Sequence, residues 1–449
     1  MTSPAVINVD ELIDRQPLRL KNFGALLLLL FALLSDGFDL QVLSFAAPGL
    51  VREWGIARAS LAPVFSANLF GMMLGAASLG WIGDRYGRKR AIVVGSLLYG
   101  TACLCSLLTN TLWELGALRF ITGIGLGGVL PNVIAMSAEV TPRRSRAMLT
   151  SLVIIGMSLG SSSPSLVATT LVPEHGWQVL FLVGGIVPLA IATAVALFLP
   201  ESLLFLAHRG YRRDLLARRV NELDPSLVIT PATRFEVRGR EADAKPGIAK
   251  LFGGDLAFTT PCLWLMFAGT LLTIYLMTSW MPLLFEDAGI APVQSAKING
   301  LYHLSGTAAA LFTAALLGKL GLAWVVTLLI VGFAAVTGIA LTGFSPTMLT
   351  YLAGAAGFGI VGCQTALNAS AGLIYPASFR PTGVGAALAV GRIGSIVGPL
   401  VGGAFIAAGL STQHMFFLPL VPIGVAIVAT TLLLIRRVDI RTEGGGAGH

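Results

Sequence analysis

Charged residues are scarce in this sequence. Of its 449 residues, 12% are Asp, Glu, Lys or Arg and 55% are hydrophobic, whereas a soluble globular protein has about 25% charged residues. The four cysteines all lie in apolar stretches without the spacing of a metal site or a disulfide framework, so we interpret them as packing residues. The polar start and the long apolar stretch that follows it predict no cleavable signal peptide. The composition excludes an ordinary soluble protein.

Sequence patterns for catalysis are lacking as well. There is no Ser/His/Asp arrangement, no phosphate-binding loop with a lysine and no cluster with metal-ligand spacing. Gly123, Gly125 and Gly128 match a dinucleotide fingerprint by letter, but they lie in an apolar helix that follows no strand, so we interpret them as helix-packing residues. We therefore predict no enzymatic activity, no cofactor, no metal and no direct use of ATP.

Long apolar stretches make up most of the remaining sequence. A bilayer core of about 30 Å requires roughly 20 residues of helix, and twelve stretches meet that length. We predict an all-α membrane protein of twelve transmembrane helices. These spans, numbered 1 to 12, lie near residues 23–48, 60–82, 90–109, 112–136, 147–171, 178–199, 258–285, 297–318, 322–343, 347–375, 381–410 and 414–435.

Basic residues lie mostly on one side of these spans. Of the 30 Lys and Arg, 25 lie on one side of the membrane. Three lie in loops on the other side (Arg52, Arg58 and Lys297), and two lie inside spans (Arg119 and Arg392). Since basic residues accumulate on the cytoplasmic side of membranes, we predict a membrane protein with both termini cytoplasmic. The same asymmetry explains the net charge of +8, so no nucleic-acid partner is required.

The two halves of the chain repeat each other at a constant offset of 234 residues (287 minus 53), which we call the repeat register. Residues 53–57 correspond to residues 287–291, Gly160 corresponds to Gly394, and the register holds without a gap from span 1 to span 6. Two such halves with a binding site between them form a known transporter architecture. The predicted units are a cytoplasmic tail (1–22), a six-helix bundle (23–199), a cytoplasmic linker (200–257), a second six-helix bundle (258–436) and a cytoplasmic tail (437–449).

A few ionisable residues lie inside the spans, where a charge is costly and marks a candidate functional site. Asp36 and Asp39 lie one turn apart on one face of span 1. Arg119, His303 and Arg392 reach a similar depth in spans 4, 8 and 11. The common depth predicts a central binding site between the halves.

The chemistry of these groups suggests their roles. Arg392 and Arg119 are candidates for binding a carboxylate substrate, because a guanidinium donates two parallel hydrogen bonds to a carboxylate. Two neighbouring carboxyls do not both ionise readily, so Asp36 or Asp39 is expected to hold a proton, with Arg119 taking part in proton coupling. Alternatively, Arg119 forms a static ion pair with one aspartate.

Aromatic side chains at this depth are candidates for stacking on a substrate ring. They are Phe38, Tyr275, Trp280, Tyr302 and Phe358, and His303 lies at a comparable depth. Ordinary packing is the alternative for each of them, and for His303 it is a hydrogen-bonded packing role.

The loop between spans 2 and 3 carries a specific motif. It reads Gly80-Trp-Ile-Gly83-Asp84-Arg85-Tyr-Gly87-Arg88-Lys89-Arg90, which resembles the G-x-x-x-D-R-x-G-R-[RK] signature of the major facilitator superfamily. Arg119-Phe-Ile-Thr-Gly123-Ile-Gly125 and Pro200-Glu201-Ser202 are similar to two further elements of that superfamily.

We interpret this loop as part of a gate. Gly83 permits close helix approach, and Asp84 can pair with a basic residue and cap a neighbouring helix. The predicted gating residues are Gly83, Asp84, Arg85 and Arg88, together with Arg146 and Arg380 of two repeated Pro-x-x-x-Arg segments. The alternative is that these basic residues only anchor topology.

Five segments sharpen the resemblance to the aromatic acid:proton symporters of that superfamily. They are Asp36-Gly37-Phe38-Asp39, Glu53-Trp54-Gly55-Ile56, Thr278-Ser279-Trp280-Met281-Pro282, Arg380-Pro-Thr-Gly383 and Gly391-Arg392-Ile-Gly394. One departure is the loop Leu317-Gly318-Lys319-Leu320-Gly321, where members of the family often keep Asp-Arg. The resemblance implies a proton-coupled importer of aromatic carboxylic acids such as hydroxybenzoates, working by alternating access in the bacterial inner membrane.

Three alternatives stay open at this point. A symporter of a non-aromatic organic acid fits the same charges. A drug:proton antiporter usually has Gly-Pro in span 5, whereas this chain has Gly160-Ser161. A nutrient sensor on a transporter scaffold usually has a long soluble extension. The partners we predict are a small aromatic carboxylate, protons and the lipid bilayer, with the chain acting as a monomer.

Overall fold

The computed structural model describes residues 6–18, 20–209, 213–225, 227, 229–230, 233–237, 247–254, 256–376 and 378–436. Within these residues, twelve helices are long and apolar enough to cross a membrane. The predicted twelve-span, all-α membrane fold is therefore confirmed. The tail predicted over 437–449 and parts of the 200–257 segment lie outside the described residues.

The helices follow the predicted spans closely. The chain opens with β1 (Val6–Asn8) and α1 (Val9–Arg15). The first half contains α2 (Leu20–Trp54), α3 (Ala62–Tyr86), α4 (Arg88–Cys105), α5 (Leu112–Glu139), α6 (Arg143–Ser162), α7 (Pro164–Thr170), α8 (Val172–His175) and α9 (Gln178–Phe198). The connecting segment contains α10 (Leu203–Arg209), α11 (Arg213–Leu223) and β2 (Arg234–Glu236). The second half contains α12 (Leu256–Asp287), α13 (Pro292–Leu320), α14 (Leu322–Leu341), α15 (Pro346–Ile374), α16 (Arg380–Ala407), α17 (Thr412–Met415) and α18 (Leu420–Ile435).

The backbone follows the same repeat register as the sequence. Gly87 ends α3 with φ 115°, and Gly321, its equivalent in the second half, ends α13 with φ 57°. Gly55 and Gly289, another equivalent pair, have φ 61° and 85°. A residue with a Cβ rarely adopts such values, so these glycines place equivalent turns in both halves.

Close helix contacts repeat as well. A Cβ added at Gly160 of α6 would collide with the carbonyl oxygen of Leu34 in α2, and one added at Gly394 of α16 would collide with that of Ala268 in α12. Leu34 and Ala268 are themselves equivalent in the repeat register. Small residues allow helix backbones to approach each other in a membrane, so the repeat fixes how the first helix of each half is packed.

The tail and the linker expected from the sequence form one small unit. Strand β1 pairs in parallel with β2, and Leu12 of α1 packs with Leu206, Leu216 and Val220 of α10 and α11. This unit lies at the membrane side where α2 begins and α18 ends, which we call the linker face. The side where α2 ends and α3 begins is the far face.

The two halves meet through α3 and α16, through α2 and α12, and through α6 and α7 against α13. The rings of Phe65 and Trp280 contact edge to face with centroids 5.4 Å apart. Ser66 Oγ donates to the carbonyl oxygen of Ile396 at 2.8 Å. These contacts join the halves between the middle of the spans and the far face.

Candidate functional site: a charged cluster between the halves

An ion pair lies in the middle of the first half. Arg119 Nη1 of α5 is 3.5 Å from Asp39 Oδ2 of α2, and both side chains are almost fully buried. Arg119 Nη2 also donates to Ser106 Oγ at 3.2 Å, and its guanidinium carbon lies 5.0 Å from the ring centroid of Phe181. Glycine at 184 leaves room at the aspartate, since an added Cβ would lie 3.3 Å from Asp39 Oδ1.

Asp36 lies one helical turn closer to the linker face. Its side chain is buried, and neither carboxyl oxygen accepts a hydrogen bond from the described residues. Asp39 and Arg392 are the charged groups that act on it. An ionised carboxylate in this position has little compensation, because a buried charge requires a partner and hydrogen bonds.

The second half contributes Arg392 and Tyr275 to the same region. Both side chains are partly exposed, and the Tyr275 side chain lies beside Arg392. Arg392 lies near enough to Asp36 for their charges to interact, without forming an ion pair with it. A cation that is partly exposed at mid-membrane depth is a suitable binding group for an anion.

A small cavity adjoins this cluster on its far-face side. It has a volume of about 20 Å³ and lies between α2, α3 and α12. Its polar lining is formed by Gln41, Ser44, Asn68, Tyr275, Thr278 and Ser279. Tyr275 lines the cavity and also lies beside Arg392, so the cavity is adjacent to the charged cluster.

The far face is closed by contacts between the halves. Arg52 pairs with Glu286 at 2.9 Å, and Arg58 pairs with Asp287 at 2.6 Å. Arg52 and Glu286 occupy equivalent positions of the repeat register. An added Cβ at Gly403 of α16 would also collide with Ala62. The charged cluster is therefore sealed from the far face.

The motif at the linker face is held within the first half. Gly83 packs against Asn132 of α5, where an added Cβ would collide with the amide oxygen. Asp84 forms an ion pair with Arg88, and Arg85 lies over the ring of Trp81 with its guanidinium carbon 5.3 Å from the centroid.

The start of α4 is capped by a glutamate. At the start of α4, the backbone N–H of Lys89 donates to Glu201 Oε1 at 3.1 Å. Asp84 pairs with Arg88, the first residue of α4, as the sequence predicted, while its part in capping that helix stays a prediction. Glu201 belongs to the Pro-Glu-Ser segment, so the two sequence motifs contact each other.

The remaining gating candidates lie apart from these contacts. Arg146 Nη2 is 3.5 Å from Asp14 Oδ1 of α1, and its Nε donates to the carbonyl oxygen of Thr141 at 3.2 Å. The Arg380 side chain is half-buried, and its Nε donates to no described residue. Their role in gating stays a prediction.

Three predicted binding residues, Phe38, Tyr302 and His303, are buried. The rings of Tyr302 and His303 in α13 contact each other, with centroids 5.3 Å apart. Neither has a hydrogen bond or an ion pair with a charged side chain among the described residues, and the Tyr302 hydroxyl is buried without a partner there. Phe38 packs in the apolar core. Their role in substrate binding stays a prediction.

Several residues of this region were not predicted from the sequence. Ser106 and Phe181 contact Arg119, while Gln41 and Asn68 line the cavity. Single polar or aromatic residues are common in membrane helices, so no local pattern distinguishes them. Among the described residues, no group of three or more His, Cys, Asp or Glu side chains is placed to hold a metal ion.

Two repeated six-helix halves that enclose a buried charged cluster define a polytopic membrane transporter. The chain belongs to the major facilitator superfamily, whose sequence pattern it matches over residues 29–371 and 263–448. The predicted membership is thereby confirmed, and the chain is a transporter rather than an enzyme.

Relatives of similar length support this membership. The chain is 34% identical to a gallate transporter of Pseudomonas putida over 95% of this chain and 94% of that protein. It is 33% identical to the 4-hydroxybenzoate transporter PcaK of Pseudomonas aeruginosa over 98% and 99%. It is 32% identical to the 3-(3-hydroxy-phenyl)propionate transporter of Escherichia coli over 91% and 93%.

Solved structures share the fold at low identity. A bacterial homologue of the human lysosomal transporter Spinster, inward-facing and occupied, has a TM-score of 0.71 at 16% identity, covering 96% of this chain and 100% of that one. The partially occluded inward open xylose transporter XylE of E. coli has a TM-score of 0.68 at 17% identity, covering 95% and 99%. These similarities concern the fold alone.

Proposed function

We propose that this protein is a proton-coupled importer of aromatic carboxylic acids such as hydroxybenzoates, working by alternating access in the bacterial inner membrane. The observation that carries the proposal is the unpartnered, buried Asp36 between an Asp39–Arg119 ion pair and the accessible Arg392, as seen among the described residues. The names of the relatives support the substrate class.

In this proposal, Asp36 carries the transported proton. Asp39 already has Arg119 as its counter-ion, whereas the two oxygens of Asp36 lack any hydrogen bond from described residues. Protonation removes a charge that the site does not stabilise. The Asp39–Arg119 pair keeps the local charge balanced while the proton is bound and released.

The substrate carboxylate binds Arg392 in the proposed mechanism. A free Asp36 carboxylate competes for that guanidinium and repels an anion, so protonation of Asp36 releases Arg392 for the substrate. Tyr275 donates a further hydrogen bond or stacks on the substrate ring. Proton binding and anion binding thus favour each other through one shared cation.

Alternating access follows from where the halves touch. The linker face carries most of the basic residues, so we place it in the cytoplasm, and the far face is then periplasmic. The ion pairs Arg52–Glu286 and Arg58–Asp287 join the two halves on the far face. Contact between the halves on that side supports an inward-facing state. Import requires these pairs to separate so that the two six-helix bundles can expose the cluster to the periplasm.

Transport assays in proteoliposomes test the proposal. We expect an inside-alkaline pH gradient to drive accumulation of 4-hydroxybenzoate. Asp36→Asn should abolish accumulation but retain exchange of labelled for unlabelled substrate, since exchange needs no net proton movement. Glu174→Gln, an exposed far-face carboxyl, is the matched control. Wild-type protein that accumulates no aromatic acid would refute the proposed function, and accumulation by Asp36→Asn would remove Asp36 as the proton site.

A further inference from the structure

Five polar side chains around the central cavity make no hydrogen bond with the described part of the protein. Gln41 and Ser44 of α2, Asn68 of α3, and Thr278 and Ser279 of α12 line the cavity. All five are buried, yet none donates to or accepts from another described residue through its side chain. The set draws on both halves of the transporter.

Many other buried hydroxyl groups of the spans are satisfied within their own helix. Ser370 and Thr430, for example, donate to the carbonyl oxygen four residues earlier at 2.7 Å, as Ser and Thr in helices commonly do. The Asn68 side chain is 7% exposed, and its amide oxygen has no donor among the described residues. Buried polar groups are nearly always hydrogen-bonded. The polar side chains around the cavity are therefore available to form hydrogen bonds with a ligand.

The size and position of the cavity restrict what that ligand group is. A volume of about 20 Å³ is just above the roughly 10–15 Å³ that one water molecule requires, so the cavity accepts a group of hydroxyl size. Tyr275 lines the cavity and lies beside Arg392. A substrate whose carboxylate is bound at Arg392 can therefore direct another part of its ring toward the cavity.

We propose that this cavity is a subsite for a ring hydroxyl, in which Asn68 and Gln41 select hydroxylated over unsubstituted aromatic acids. The inference rests on the proposed function and deepens it. The ring hydroxyl donates to the Asn68 amide oxygen and accepts from the Gln41 amide nitrogen. An acid without this hydroxyl leaves both amides unpaired, which disfavours its binding.

Uptake of three acids by Asn68→Leu protein tests the subsite. Leucine has a similar volume but no hydrogen-bonding group. We expect the KM for 4-hydroxybenzoate to rise about three- to tenfold, while the KM values for benzoate and 2-hydroxybenzoate, whose hydroxyl lies beside the carboxylate, stay within about twofold. Gln41→Met should give the same pattern and serves as a second variant if Asn68→Leu does not reach the membrane. Ser78→Ala, on an exposed face of α3, is the control.

Two outcomes would overturn the subsite. One is an equal change of KM for all three acids in both variants, and the other is a wild-type protein that takes up benzoate with the same KM as 4-hydroxybenzoate. Either result leaves the proposed function intact. Failure of wild-type protein to transport any of the three acids would instead refute the proposed function itself.

Discussion

The Asp39–Arg119 ion pair allows a quantitative test of the charged cluster. Two unit charges 3.5 Å apart attract by about 5 kcal/mol at an effective dielectric constant of about 20. Removing one partner of a buried pair costs about 3–5 kcal/mol, because the other charge is left without compensation. The variants Asp39→Asn and Arg119→Gln should differ in stability. Arg119 cannot lose its proton when its partner is removed, whereas Asp39 can gain one.

We therefore expect Asp39→Asn to be the more destabilising change. An unfolding entropy of about 2.1 cal/mol/K per residue means that each kcal/mol lowers the melting temperature of a 449-residue chain by about 1 °C. Asp39→Asn should lower the melting temperature in detergent by about 3–5 °C and Arg119→Gln by less. The double variant should recover most of the loss, because neither charge remains.

Transport by the double variant separates coupling from structure. If the pair takes part in proton coupling, the double variant is stable but accumulates no 4-hydroxybenzoate in proteoliposomes. Glu11→Gln with Arg15→Gln, an exposed ion pair, is the control and should shift the melting temperature by about 1 °C or less. A melting temperature unchanged in Asp39→Asn would refute the electrostatic reasoning, and uphill accumulation by the double variant would show that the pair is only structural.

Two further predictions concern helix packing and the far-face closure. In the double variant Arg52→Cys with Glu286→Cys, a short reducible cross-linker between the two thiols should block uptake until it is cleaved by a reductant. Neither single-cysteine variant should be blocked by the same treatment. Uptake by the cross-linked protein would contradict the proposed opening of the far face. Gly394→Leu should prevent stable folding, seen as loss of the monodisperse peak in gel filtration, because an added Cβ collides with α12. Gly385→Leu, at an open position of the same helix, is its control, and equal behaviour of the two variants would refute the close-contact interpretation.

The sequence alone predicted the membrane fold because its signals are local or periodic. Apolar stretches of about 20 residues identified the twelve spans, and the repeat register related Gly160 to Gly394 before any helix contact was known. Depth within a span placed Asp36, Asp39, Arg119 and Arg392 near one plane, and the structure brings these four residues to one region.

The tertiary structure alone decided which of these residues meet. Helical periodicity gives the face on which a side chain lies, but not the helix that this face contacts, since that depends on packing at glycines such as Gly160 and Gly184. For this reason the sequence did not distinguish Asp39, which has Arg119 as its partner, from Asp36, which has none among the described residues. Depth along a span likewise does not report direction around the helix axis, so the sequence did not show that the His303 ring contacts Tyr302.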